Sequence, residues 1–255
     1  MDGRTLRGTL ISQEYAPLFA RIDALKAELS RRRAPTQGER ERRIQEFLVA
    51  FPFHSNAMDG NTLTLRETAL VLEGLVIDGK PLNEHLQAAD HRNAFLHVLR
   101  LVANRVPVTE RVLKDIHSLV LLDRPEERGV YRLLPVRIAS AAHEPPPHLV
   151  LVQVRQLLAK QGESKRHPIE KAALFHLELE GIYPFIDGNG RTGRLVLNHM
   201  LMLAGYPPVC IKFADRPRYS ICFDSHFTDA AAAPMVELLA GCLEERLREE
   251  LAALE

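Results

Sequence analysis

Tyr183-Pro184-Phe185-Ile186-Asp187-Gly188-Asn189-Gly190-Arg191-Thr192-Gly193-Arg194 lies between two apolar segments with helical spacing. Ahead of it, Pro168 to Gly181 carries Ala172, Leu174, Phe175, Leu177 and Leu179; behind it, Leu195 to Ala204 runs up to Gly205. The stretch therefore reads as helix, tight loop, helix. Its loop has glycines on both sides of an asparagine, and all these residues tolerate positive φ. Such a loop turns successive backbone N–H groups inward, and the next helix adds its unpaired first-turn N–H groups and the positive end of its dipole. Gly188, Asn189 and Gly190 thereby make an anion site suited to phosphate. Arg191 and Arg194 share a helix face and reach the same anion. Asp187 stands at the loop mouth, where a carboxylate is placed to hold Mg²⁺ bridging phosphate oxygens.

These residues resemble the core motif of the Fic family, His-Pro-Phe-x-(Asp/Glu)-Gly-Asn-Gly-Arg-x-x-Arg. Every fixed position matches except the first, where Tyr183 stands in place of histidine. The resemblance implies a mostly α-helical bundle with a short β-hairpin flap, and transfer of AMP from ATP to a protein hydroxyl. It implies ATP and Mg²⁺ as the small-molecule partners. Tyr183 and Asp187 take the catalytic positions, with Asp187 also the metal position; Gly188, Asn189, Gly190, Arg191 and Arg194 take the nucleotide-binding ones. The family histidine accepts the proton of the attacking hydroxyl, so the departure falls on the base.

A second stretch, His54-Ser55-Asn56-Ala57-Met58-Asp59-Gly60-Asn61, precedes Thr64-Leu65-Arg66-Glu67. Asp59-Gly60-Asn61 is a turn by composition, and Thr64 with Glu67 is a capping box that opens the following helix. The stretch also resembles the self-inhibitory segment of many Fic proteins, Ser/Thr-x-x-x-Glu-Gly/Asn. Ser55 fits the first position, and Asp59 stands where the family has glutamate. In the family that acid pairs with the second arginine of the core motif and keeps ATP from binding productively. Carried over, Asp59 pairs with Arg194; aspartate is a methylene shorter, which implies a looser lock or a different role.

Working outward, helices are expected over 14–33, over 36–50 stopping near Pro52, and over two segments of 67–105 separated at Asp78-Gly79-Lys80-Pro81. His85, His91 and His97 recur along the second segment but fall on different faces, which makes them poor metal ligands. Thr109 caps the next helix. Leu133 to Ile138 alternates loosely around Pro135, and Pro145-Pro146-Pro147 follows, which suggests a short hairpin and a stiff connector. The resemblance makes the region near 131–143 the flap, which holds a protein target's backbone as an added strand. Residues 149–158 read as helix and 161–166 as a polar loop. Lys212 to Ser225 reads as irregular; the resemblance puts it beside the adenine, with Tyr219 a nucleotide contact. Residues 234–251 form a last amphipathic helix.

A chain of 255 residues supports one large domain, or one with a small helical extension. The expected division is a helical extension over 1–50 and a Fic-like domain over 51–255, with the inhibitory segment near 55–61. Lys+Arg and Asp+Glu are both 33, so nothing suggests bulk attraction to nucleic acid or an anionic membrane. No run approaches the roughly twenty apolar residues of a membrane span, and Met1 to Leu10 has no apolar signal core. Cys210, Cys222 and Cys242 lack metal-type spacing and suggest reduced thiols in a cytoplasmic protein. A homodimer is allowed for.

Three readings stay open. The first is an adenylyltransferase weakened or altered by Tyr183, since tyrosine titrates at ~10 against ~6.5 for histidine. The second is a catalytically inactive nucleotide-sensing or partner-binding protein. The third is a hydrolase that removes AMP from a modified protein, with Asp59 aligning water and Tyr183 donating a proton to the leaving hydroxyl.

Overall fold

The computed structural model describes residues 14–122, 124–136 and 146–254. The helices are α1 (Ala16–Arg31), α2 (Gln37–Met58), α3 (Leu65–Leu72), α4 (Leu82–Ala103), α5 (Glu110–Val120), α6 (Val150–Glu163), α7 (Pro168–Ile182), α8 (Asn189–Leu203), α9 (Arg216–Asp229) and α10 (Ala233–Ala252). Short 3₁₀ turns at Pro147–Leu149 and Phe213–Asp215 lead into α6 and α9. The starts carry the expected chemistry. Thr64 and Glu67 form a capping box, as do Thr36 and Glu39, and the Thr109 side chain accepts from the Val112 N–H.

The bundle is built around α8. Its residues Leu195, Val196, Leu197 and Leu201 are buried, as are Arg191, Thr192 and Arg194 nearer its start. The helix packs against α7, α4, α5 and the C-terminal part of α2. The α1 helix lies along α10, where Phe19 and Ile22 join the apolar cluster and the Tyr15 hydroxyl donates to Glu237 Oε1 at 2.6 Å. No helix among the described residues is long and apolar enough to cross a membrane.

Several expectations are corrected. The second helix does not stop near Pro52 but runs through it to Met58. Proline inside a helix costs about 3 kcal/mol through its missing N–H and its clash with the preceding turn. Here Pro52 is buried beside a stack of Phe47, Phe51 and Phe95, with ring centroids 4.9 to 5.3 Å apart, and this packing outweighs the local penalty. Residues 212–225 are not irregular either: α9 starts at Arg216 with Pro217 in its first turn, a position that tolerates proline. The α6 helix also extends to Glu163, into the segment expected as loop. No strand forms among the described residues, so the expected hairpin flap is not supported; residues 131–136 are irregular, and 137–145 lie outside the described residues.

Candidate active site

The signature stretch folds as the turn between α7 and α8, Tyr183 to Gly188, followed by the start of α8. The α7 helix ends at Ile182, and Tyr183 closes it in the left-handed conformation, φ 49°. That conformation is unusual for a bulky side chain, and Arg132 holds it. Its Nε donates to the Tyr183 carbonyl at 2.7 Å, its Nη2 to the Ile182 carbonyl at 3.4 Å, and its backbone N–H to the Pro184 carbonyl at 3.0 Å. A buried cation thus satisfies carbonyls that the helix end leaves unpaired.

Of the loop residues expected to use positive φ, only Gly188 does so, at 72°; Asn189 and Gly190 are already helical. A Cβ on Gly188 would come within 3.2 Å of Val120, so this glycine also permits a close approach to α5. The Asn189 side chain pins the loop: Phe185 N–H donates to its Oδ1 at 2.9 Å and its Nδ2 donates to the Phe185 carbonyl at 2.8 Å. His117 of α5 supports the loop from below. Its ring stacks on Phe185 at 3.6 Å, its Nδ1 accepts from the Gly129 N–H at 2.8 Å, and its Nε2 reaches the Asp187 carbonyl at 3.0 Å. With one ring nitrogen accepting and the other donating, the imidazole is neutral.

This arrangement presents the first turn of α8, with the N–H groups of Asn189, Gly190 and Arg191 that helix geometry leaves without intrahelical partners. Asp187 lies at its mouth. Its Oδ1 accepts from the Gly188 N–H at 2.6 Å, and its Oδ2 lies 3.1 Å from Arg124 Nη2. Arg191 is buried 3.8 Å from Asp59 and 3.7 Å from Asp187.

Arg194 is held by two residues at the end of α2. Its Nε donates to Ser55 Oγ at 2.7 Å, and its Nη2 donates to the Ser55 carbonyl at 2.8 Å and to Asp59 Oδ2 at 2.8 Å. The uninterrupted α2 makes this geometry: Ser55 and Asp59 are one turn apart, so both face Arg194. The shorter aspartate still reaches a full hydrogen bond. Tyr219, expected at the adenine, is buried in α9 with its hydroxyl 2.6 Å from His176 Nε2 and within hydrogen-bonding reach of Arg194.

Burial foremost, then the carboxylates of Glu180, Asp59 and Asp187, push the Tyr183 hydroxyl up to about 12. Arg194 is spent on Asp59, and the carboxylates oppose a phenolate.

Sequence reasoning missed Arg132, Arg124, His117, His176 and Glu180. A signal existed for His176 and Glu180: they continue the apolar face of Ile169, Ala172 and Ala173 at helical spacing, so each is polar at a core position. His117 likewise interrupts the face of Val112, Leu113, Ile116 and Val120. The partners come from distant helices, and no local pattern names them.

The buried histidines make stability pH-dependent. Burial lowers His117 to about 4 and His176 to about 3, while an unfolded histidine titrates near 6.5. The unfolded chain then binds protons that the native chain does not, so stability is complete above about pH 6.5 and is lost as pH falls. At pH 5 the pair should cost about 4 kcal/mol together. Urea unfolding midpoints at pH 7.5 and pH 5 measure this; equal midpoints would show that these rings are not buried neutral.

Residues 107–201 match the Fic/DOC family. A protein adenylyltransferase Fic of Drosophila melanogaster is 33% identical over 248 residues, covering 94% of this chain and 48% of that protein. The Drosophila yakuba protein of the same description is also 33% identical over 248 residues. The chain spans about half the length of the curated relatives it matches. Among solved structures, Fic-1 of C. elegans superposes with a TM-score of 0.84 at 27% identity, over 98% of this chain and 76% of that one. A Fic family protein of Desulfovibrio desulfuricans G20 superposes with a TM-score of 0.71 at 26% identity, over 93% and 75%.

Proposed function

The chain belongs to the Fic family, and from that membership we propose that it is a protein adenylyltransferase, moving AMP from ATP to a protein hydroxyl, held in a restrained state by Asp59 and slowed by Tyr183. The observation that carries this reading is the first turn of α8 with the buried Arg191 and Arg194 on the same helix, and an acid at the end of a separate helix already bound to Arg194. Oriented N–H groups, a helix dipole and guanidinium groups suit a polyphosphate and stabilise charge that develops on its oxygens. The curated relatives described as adenylyltransferases support the same reaction.

Asp187 is the residue that would hold Mg²⁺, which would supply charge neutralisation on the phosphates. Mg²⁺ is commonly held by one or two carboxylates together with substrate phosphates, and Asp187, half-exposed at the mouth of the loop, fits that role once Arg124 gives way. No group of three or more His, Cys, Asp or Glu side chains that would hold a metal by themselves occurs among the described residues. The protein target would bind near 131–143; in the described part of that segment, Arg132 anchors the backbone of Tyr183. Cys210, Cys222 and Cys242 are all free, which supports a reducing, cytoplasmic setting.

One observation favours a second reading, removal of AMP from a modified protein. A hydroxyl pushed up to about 12 is a proton donor at any physiological pH, and Asp59 lies across the same site to orient a water.

The test is incorporation of label from α-labelled ATP into lysate proteins or the chain itself, with Gly190→Val as control. A Cβ at Gly190 would lie 2.9 Å from Arg194 Nη1 and 3.2 Å from Asp59 Oδ1. The branched side chain therefore occupies the space above the phosphate helix and displaces the guanidinium. ATP affinity measured by calorimetry should fall by at least about tenfold and any label should disappear. Unchanged affinity would remove the phosphate site from α8.

A further inference from the structure

Glu180 has no part in the family motif, yet it is set against the phosphate helix. It lies on α7, one turn before Tyr183, and its Oε1 is sealed from solvent with no hydrogen-bond partner. Gly193 makes the room: a Cβ there would stand 2.5 Å from Glu180 Oε1 and 2.8 Å from the His176 ring. The carboxyl oxygen is thus lodged directly against the backbone of α8, one residue before Arg194. Arg194 spends its Nε and Nη2 on Ser55 and Asp59, so Glu180 sits within the electrostatic reach of the guanidinium without being its hydrogen-bond partner.

We propose that Glu180 is a residue of the nucleotide site, and that a polyphosphate bound at Arg194 draws one proton from solvent onto the Glu180 carboxylate, leaving a neutral acid beside the phosphate. The inference rests on the reading of α8 and Arg194 as the phosphate site. The physical reason is charge. A polyphosphate adds several negative charges next to a carboxyl that burial already holds in its neutral form, and an ionised Glu180 is repelled by them. The proton balance is simple: carboxylate plus a solvent proton gives carboxylic acid, with no other bond made or broken.

The groups that face Glu180 leave it as the one that titrates in the alkaline range. They are His176 from α7, Arg194 from α8, Asp59 from the end of α2, Tyr219 from α9 and Tyr183 from the loop, with His91 of α4 facing Arg194. Burial, opposed by Arg194 and reinforced by Asp59, raises Glu180 to about 8. His176 is lowered to about 3, Tyr183 raised to about 12, Tyr219 raised further and His91 lowered well below neutral.

The experiment is ATP binding by calorimetry at constant Mg²⁺ from pH 7 to pH 9, in the wild type and in Glu180→Gln. Each is repeated with Asp59→Gly so that Arg194 is released. Glutamine copies the neutral acid in shape and charge. Below pH 7.5 the ratio of the two affinities should not change with pH. Above pH 8 the wild type should weaken toward tenfold per pH unit while Glu180→Gln does not, so that by pH 9 the ratio has moved about tenfold in favour of the variant. Adenosine, which lacks phosphate, should bind the two proteins with the same pH profile. A second measurement needs no variant: at pH 8.5, binding enthalpies in buffers of different ionisation heat should report uptake of most of a proton per ATP. ATP bound with superimposable profiles and no proton uptake overturns the role of Glu180 alone. Absence of ATP binding in every variant removes the phosphate site and this inference together.

Discussion

Tyr183→His should raise AMP incorporation by ~10²-fold or more, the usual range for supplying a general base. The tyrosine is a poor base here for a reason that the site itself makes explicit. Burial and three carboxylates push its hydroxyl up to about 12, so at pH 7 roughly one molecule in 10⁵ carries a phenolate. The same surroundings suit imidazole. Burial favours the neutral ring, which is the form that accepts a proton. Asp59 and Asp187 then stabilise the cation formed once it has done so. The environment is thus matched to a base whose conjugate acid is positive, and it opposes one whose basic form is negative. Backbone geometry also permits the change, since position 183 is left-handed and histidine enters that region more readily than most residues. Mass spectrometry for the adduct, on the chain or on lysate proteins, measures the outcome. An active wild type that loses activity as Tyr183→His would give tyrosine its own chemical role and favour the proton donor of the hydrolytic reading. No adduct in either protein, with ATP bound, would leave a nucleotide-sensing protein.

What the sequence made legible follows from how local each signal is. The loop from Tyr183 to Arg194 announces itself because glycine, asparagine and arginine stand at fixed separations within one turn between helices. The caps at Thr64 and Thr109 are equally local. The reading erred where distant packing decides. Pro52 looks like a stop, but the aromatic stack of Phe47, Phe51 and Phe95 carries α2 past it, and only because the helix continues do Ser55 and Asp59 meet Arg194. Pro217 looks like a break in an irregular segment and proves to be in the first turn of α9, which brings Tyr219 to His176. Arg132 carries no local pattern, and Glu180 shows locally only as a polar residue on an apolar helix face, with nothing to name its role. One is recognised from the carbonyls it satisfies across 50 residues of chain, the other from the oxygen that finds no partner.

Asp59→Gly should move stability and ligand affinity in opposite directions. In the native chain Arg194 is buried and hydrogen-bonded twice to Ser55 and once to Asp59, with the Tyr219 hydroxyl also in reach. Removing the carboxylate leaves the Ser55 bonds but strips the guanidinium of the anion nearest to it. Asp59 is 40% exposed, so water softens the loss, and a charge-assisted hydrogen bond of this kind contributes about 1.5–3 kcal/mol. Without ligand, Tm should fall by roughly 2–4 °C for each kcal/mol lost. The ligand has the opposite interest. Phosphate and Asp59 compete for one guanidinium, and freeing Arg194 for a charge-assisted bond of the same size should tighten ATP binding by about ten- to a hundredfold. Since a ligand stabilises the native state according to its concentration relative to Kd, saturating ATP should raise the Tm of the variant more than that of the wild type. Ser55→Ala is the necessary contrast. It removes a neutral acceptor and leaves the anion in place, so ATP should gain much less. Equal ATP affinity in Asp59→Gly and wild type would reduce Asp59 to the residue that ends α2. Tighter binding in Ser55→Ala than in Asp59→Gly would mean that the hydroxyl, not the charge, restrains Arg194.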